Sequence, residues 1–239
     1  MRRLLAVLIS GTMLLTFGCS NRYDIRLNST LEAMKYTKRL NDNLQDPPKE
    51  GPIKELNIYV RAPKPLVEAK EFGLGSASAG LFDVEKTFFA GEKTFLHVLA
   101  RVKQPKKPPA KGATPDASPP VRDPSFTKDL LSVLAGVYGE EEGLAKFKDD
   151  SHKPNSYKRS IVTANGKTVE LYTYKADIYD VALVFQYDPT DRAAMASKIA
   201  LCLESFATGN KARSKYAGAL GEEESSEEGG GGGGGGVPF

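Results

Sequence analysis

The residue pattern predicts an α+β fold, an antiparallel sheet with two main helices packed on it. Three observations point there. Asn165-Gly166 stands between two extended runs, and an Asn-Gly pair favours a two-residue hairpin turn because both central residues take positive φ. Val181-Ala182-Leu183-Val184-Phe185 is an unbroken apolar run, the composition of a central strand. Asp-Pro occurs twice, at Asp123-Pro124 and Asp188-Pro189, each time ahead of apolar residues spaced three and four apart, the layout of a capped amphipathic helix. Hairpin-linked strands and long helices in one chain argue for layers.

At the start of the chain, Arg2 and Arg3 precede an apolar run from Leu4 to Phe17, broken only by Ser10, Gly11, Thr12 and Thr16 and closed by Gly18-Cys19. A basic start, an apolar middle too short to span a bilayer and a small residue before the cut predict a secretory signal over residues 1–18. Residues 19–51 are polar and read as a tether. Within them Ser29-Thr30-Leu31-Glu32 fits a capping box, so a marginal helix from about Thr30 to Asn43 is expected, ended by Pro47-Pro48.

One domain is expected over residues 52–210. Leu56 to Arg61 alternates apolar and polar and predicts a strand stopped by Pro63 and Pro65. Gly73 to Gly80 reads as a loop. Leu81 to Phe89 and Lys93 to Val102 predict two strands joined at Ala90-Gly91-Glu92. The stretch 103–122 holds six prolines among lysines and small residues, which predicts a disordered insert. Phe126, Leu130, Val133, Leu134 and Val137 then form the stripe of a helix that Gly139 caps. Residues 140–154 read as a charged connection. Tyr157 to Thr163 and Lys167 to Lys175 are the arms of the Asn-Gly hairpin. In the second arm Val169, Leu171 and Thr173 share one face, and Glu170, Tyr172 and Tyr174 the other. Met195, Ile199, Cys202, Leu203 and Phe206 give the stripe of a final helix closed by Gly209, and residues 211–239 read as an acidic, then glycine-rich disordered tail.

Of 239 residues, 33 are basic and 30 acidic; Arg2 and Arg3 leave with the signal, so the remaining balance of 31 to 30 predicts no general affinity for nucleic acid. Only two cysteines occur, Cys19 and Cys202; if Cys19 carries lipid, Cys202 has no intramolecular partner and the exported domain relies on its apolar core and not on disulfides.

Candidate chemistry is sparse. His97 and His152 are the only histidines; each reads as a base or ligand, or more simply as a paired strand residue and a solvated turn. Asp149-Asp150 beside His152 matches no known loop motif for a divalent cation. The glycine-rich stretch around Ser76 and Ser78 lacks the G-x-S-x-G spacing of a nucleophile elbow and the spacing of a dinucleotide loop. Cys202 reads as a small buried hydrophobe. Tyr172, Tyr174 and Tyr179 mark an aromatic strip, either an interaction surface or a helix-covered face. No metal, cofactor or catalytic set is expected.

The small residue followed by Cys19 resembles the lipobox of bacterial lipoproteins, which implies acylation of Cys19 as the new N-terminus and a membrane contact through lipid; a plain signal with a free Cys19 is the alternative. Ser20 after that cysteine implies, by similarity to proteobacterial sorting, the outer membrane. The paired strands, Tyr-rich face and following helix over Tyr157 to Thr208 resemble the Mog1/PsbP-like sandwich, and the lipobox, Pro-rich insert and glycine-rich end together resemble uncharacterised lipoproteins of planctomycete-type bacteria. These imply a lipid-anchored, periplasm-facing cell-envelope protein acting as a non-catalytic binding or scaffolding module, with an envelope protein as partner. The alternative is a periplasmic hydrolase or metal-dependent enzyme using His97 or His152.

Overall fold

The computed structural model describes residues 2–71, 73–78, 80–103 and 124–220, with the side chains of 2–22, 76, 77, 219 and 220 excepted. The expected insert and the acidic, glycine-rich end therefore lie almost wholly outside the described residues. The chain divides into two compact units, 1–44 and 45–239.

The first unit is one helix, α1, Arg2–Asn43. It replaces the expected short helix from Thr30, and Ser29 is not its cap. The Ser29 and Thr30 hydroxyls instead donate to the Arg26 carbonyl at 2.8 and 2.9 Å, which satisfies both side chains within a continuing helix. Glu32 pairs with Lys35 and Lys38 with Asp42, one turn apart on an exposed surface. No helix among the described residues is long and apolar enough to cross a membrane.

The second unit is an α+β layered domain. A short helix α2 (Pro52–Glu55) leads into strands β1 (Ile58–Tyr59), β2 (Val67–Glu68), β3 (Val84–Ala90) and β4 (Thr94–Val102). Helices α3 (Phe126–Tyr138) and α4 (Glu141–Leu144) follow, then β5 (Lys148–His152), β6 (Asn155–Ala164), β7 (Lys167–Ala176) and β8 (Tyr179–Tyr187). Helix α5 (Arg192–Ser205), β9 (Ala207–Thr208) and α6 (Gly209–Leu220) complete the described chain. Seven strands form one antiparallel sheet in the order β2-β3-β4-β8-β7-β6-β5. Crossing by α3 and α4 carries the chain to the far edge, and the β5 to β8 meander brings it back beside β4.

Period-two alternation sorts each strand's side chains between two covered faces. On one face Leu99, Val169, Leu171, Ala182 and Val184 meet Phe126, Leu130, Val133 and Leu134 of α3, each fully buried aliphatic contributing about 1.5–3 kcal/mol. Arg101 crosses to Asp129 of α3 as a buried ion pair, its guanidinium lying over the Phe82 and Phe126 rings. On the other face Val181, Leu183, Phe185 and Tyr187 are buried, with Met195, Ile199, Cys202 and Leu203 of α5 also removed from solvent. The β6–β7 turn has Asn165 and Gly166 at φ 51 and 72, as the hairpin signal requires.

Four local expectations are corrected. Ser125 caps α3, accepting from the Lys128 amide at 3.4 Å, and Asp123, the expected cap, lies outside the described residues; Gly139 at φ 71 closes the helix as expected. The strand expected over Leu56 to Arg61 shrinks to Ile58–Tyr59, because Asn57 takes φ 53 to turn the chain out of α2. The supposed connection 140–154 contains α4 and the edge strand β5. The supposed tail from Lys211 is helical to Leu220: Ala212 and Tyr216 join Tyr59 and Ala207 in a small core, and the Tyr216 hydroxyl donates to the Ile58 carbonyl at 2.8 Å.

Candidate functional site

Register alone concentrates charge at one place. Lys148 pairs with Arg159, Arg159 with Tyr172, Asp150 with Tyr157 and Glu170 with Phe185, so Asp150, Arg159, Glu170 and Tyr172 all belong to the α5 face. There Asp150, His152, Arg159, Glu170 and Tyr172 line a cavity of about 280 Å³, closed over by Arg192, Ala196, Ile199 and Ala200 of α5. The helix crosses this face because its stripe of small and aliphatic residues leaves room beneath it.

Glu170 is the pivot, with a side chain only 4% exposed. Arg159 Nη2 and the Tyr172 hydroxyl both donate to its Oε2 at 2.7 Å, and the Tyr187 hydroxyl donates to Oε1. Burial alone would raise the Glu170 pKa, but the hydrogen bonds from Tyr187, Tyr172 and Arg159 outweigh it and hold the carboxyl below the usual range. Burial, reinforced by the neighbouring Glu170, pushes Tyr172 and Tyr187 up. Both phenols therefore stay protonated as donors.

The rest of the cluster is less complete. Asp150 Oδ1 accepts from the Ser151 amide at 2.8 Å, while its Oδ2 lies 3.4 Å from His152 Nε2 and 3.8 Å from Arg159 Nη1. His152 stacks edge-on against Tyr157 and Tyr172 at 6.2 Å. His152 Nε2 and Arg159 Nε are buried and find no hydrogen-bond partner. A carboxylate with every donor it needs, beside an imidazole and a guanidinium with N–H groups to spare, can grip an acceptor more readily than it can take up a proton.

The sequence candidates fall in different places. His152 and Asp150 enter the cavity, and Asp149 points to the opposite face. His97 stands apart, on β4 and the α3 face, separated from β5 by four strand spacings or roughly 19 Å. It is 2% exposed, stacks on Phe95 and meets the Thr87 hydroxyl at 2.9 Å; that hydroxyl accepts from the Gly73 amide. Burial pushes its pKa down to about 4. The two histidines share no pocket.

The aromatic strip is a covered face and not an open surface. Tyr172 and Tyr179 are buried and Tyr174 half-buried, with Tyr174 and Tyr157 packed against Phe206 at the end of α5. Tyr174 also borders an open depression of about 470 Å³ beside the start of α3, with Lys103, Lys158 and Lys175 around it. Cys202 is buried, its thiol pushed up to about 12 by burial, and it is no nucleophile in this setting. Among the described residues no group of three or more His, Cys, Asp or Glu side chains is arranged to hold a metal ion.

Arg159 and Glu170 escaped the sequence reading. Glu170 sharing a face with tyrosines was the available signal, since a carboxylate on an aromatic face needs partners.

No family model matches this chain, and no curated protein matches it. Among solved structures the chain is similar to cyanobacterial PsbP (CyanoP) from Synechocystis sp. PCC 6803, at 11% identity and a TM-score of 0.41, over 70% of this chain and 93% of that one.

Proposed function

We propose that this chain is a lipid-anchored cell-envelope protein whose α+β domain binds rather than catalyses. Its anchor is Cys19, following the basic and apolar start of the chain, and its domain is displayed on the exported side of a membrane. The observation that carries the binding reading is the occupied state of Glu170. Both carboxylate oxygens accept hydrogen bonds, so the most buried acid of the cavity is a fixed anion that orders Arg159, Tyr172 and Tyr187. What remains for a guest are N–H donors, which suit recognition. An envelope protein is the expected partner of the displayed domain.

The test of the anchor is fractionation of cells fed a clickable palmitate analogue. The native chain is expected in membranes with the label, and Cys19→Ala in the soluble exported fraction without it. An unlabelled native chain, or a Cys19→Ala variant equally membrane-bound, would discard the anchor.

A further inference from the structure

We infer that the cavity beneath α5 is a binding site for a small oxyanion, a carboxylate or phosphate group held by Arg159, His152 and Arg192. This names the ligand class for the binding module proposed above and rests on that reading. Arg159 spends Nη2 on Glu170, and its buried Nε–H has no partner. A guanidinium is always protonated, so that N–H is a donor. His152 Nε2 faces Asp150 Oδ2 at 3.4 Å, which favours a proton on Nε2, yet the separation is too long for a good hydrogen bond. A buried donor left unsatisfied costs about 1–3 kcal/mol, so two on one wall favour a guest that accepts from both.

Charge and size agree. The guanidiniums of Arg159 and Arg192 balance the carboxylates of Glu170 and Asp150, so an anion meets unsatisfied N–H donors in a cavity with no excess of negative charge. Arg192 is exposed in the first turn of α5 and lines the same cavity, so it can meet a guest entering from solvent. Liquid water takes about 30 Å³ per molecule, and a cavity of about 280 Å³ has room for an oxyanion of a few heavy atoms with some of its water. The apolar part of the lining comes from the Tyr172 ring with Ala196, Ile199 and Ala200, so it is the small volume that limits a larger organic body.

The chain's two histidines supply the readout. Ring signals of His97 and His152 in the purified full chain are followed by NMR during separate titrations with inorganic phosphate and with acetate at constant ionic strength. The His152 signal, assigned by its loss in His152→Ala, should shift and saturate at millimolar anion with one or both probes. The buried His97 should stay still as an internal reference. Arg192→Ala should weaken the saturable shift about tenfold, as expected for one charge-assisted contact, with unchanged thermal midpoint. Saturation by phosphate alone, by acetate alone or by both supports the site and separates the two sources. A His152 signal that moves with neither anion, or moves identically in Arg192→Ala, overturns it. That silent result with an acylated Cys19 would leave the anchored module standing without this ligand.

Discussion

Two buried side chains define how this domain should respond to acid, and they act in different windows. His97 is neutral in the folded protein, with its pKa lowered to about 4 from an unfolded value of about 6.5. Between those values the unfolded chain binds a proton that the native chain refuses, so stability rises with pH across the window and falls on acidification. The full difference is about 3 kcal/mol, a large part of a typical domain's margin. Glu170 acts lower. Its folded pKa is depressed, so its contribution is present above the unfolded carboxylate value of about 4.3 and disappears as pH falls through the folded one. Urea denaturation from pH 7 to 4 should therefore show a steady loss, and His97→Gln should flatten it. A native profile level down to pH 4 would contradict the burial of a neutral imidazole. The sequence placed His97 in an apolar strand but gave no sign of the Thr87 contact, because that pairing depends on β3–β4 register.

Hydrophobic periodicity made some elements legible and left others hidden for a definite reason. The β6–β7 hairpin, β8, α3 and α5 announce themselves through Asn165-Gly166, the Val181 to Phe185 run and two apolar stripes, all local signals. β5 has no such signal. Lys148-Asp149-Asp150-Ser151-His152 is wholly polar because the strand lies at the sheet edge, and its inward residues are Asp150, an ion-pair partner of Arg159, and His152, not core aliphatics. Helix α6 is hidden similarly, since Ala212 and Tyr216 are its buried anchors among polar neighbours. Helix α4 is short, but its seat is tight. A Cβ at Gly143 would lie 2.6 Å from Cγ1 of Val162, and the Gly143 carbonyl accepts from Ser160 at 3.0 Å. Alanine favours helix by about 1 kcal/mol over glycine, whereas overpacking costs about 1–3 kcal/mol, so Gly143→Ala should be destabilising by about 1 kcal/mol. A denaturant midpoint that rises instead would show that α4 does not pack on β6 in this way.

At the scale of the whole molecule the fold and the site have one origin. The α3–α4 crossover sends the chain to the far edge of the sheet, so that β5 returns beside β6 and delivers Asp150 and His152 to a face where Arg159 and Glu170 already stand. Asp150 and His152 reach Arg159 through the β5–β6 hairpin, but Glu170 and Arg192, 18 and 40 positions beyond His152, join them only through the sheet and α5, which is why the sequence offered His152 and its acidic neighbours without Glu170 or Arg192. The α+β class and the two main helices were readable; the site was not, because its contacts are non-local and its residues look like solvated strand positions. The proposed export and anchoring of this domain rest on residues 1–19, and they would decide where any guest is met. Intact-mass measurement of the native protein extracted from membranes tests that most directly. A chain beginning at Cys19 and carrying the added mass of fatty acyl groups is the expected result; a retained Met1 with an unmodified Cys19 sulfur would contradict it.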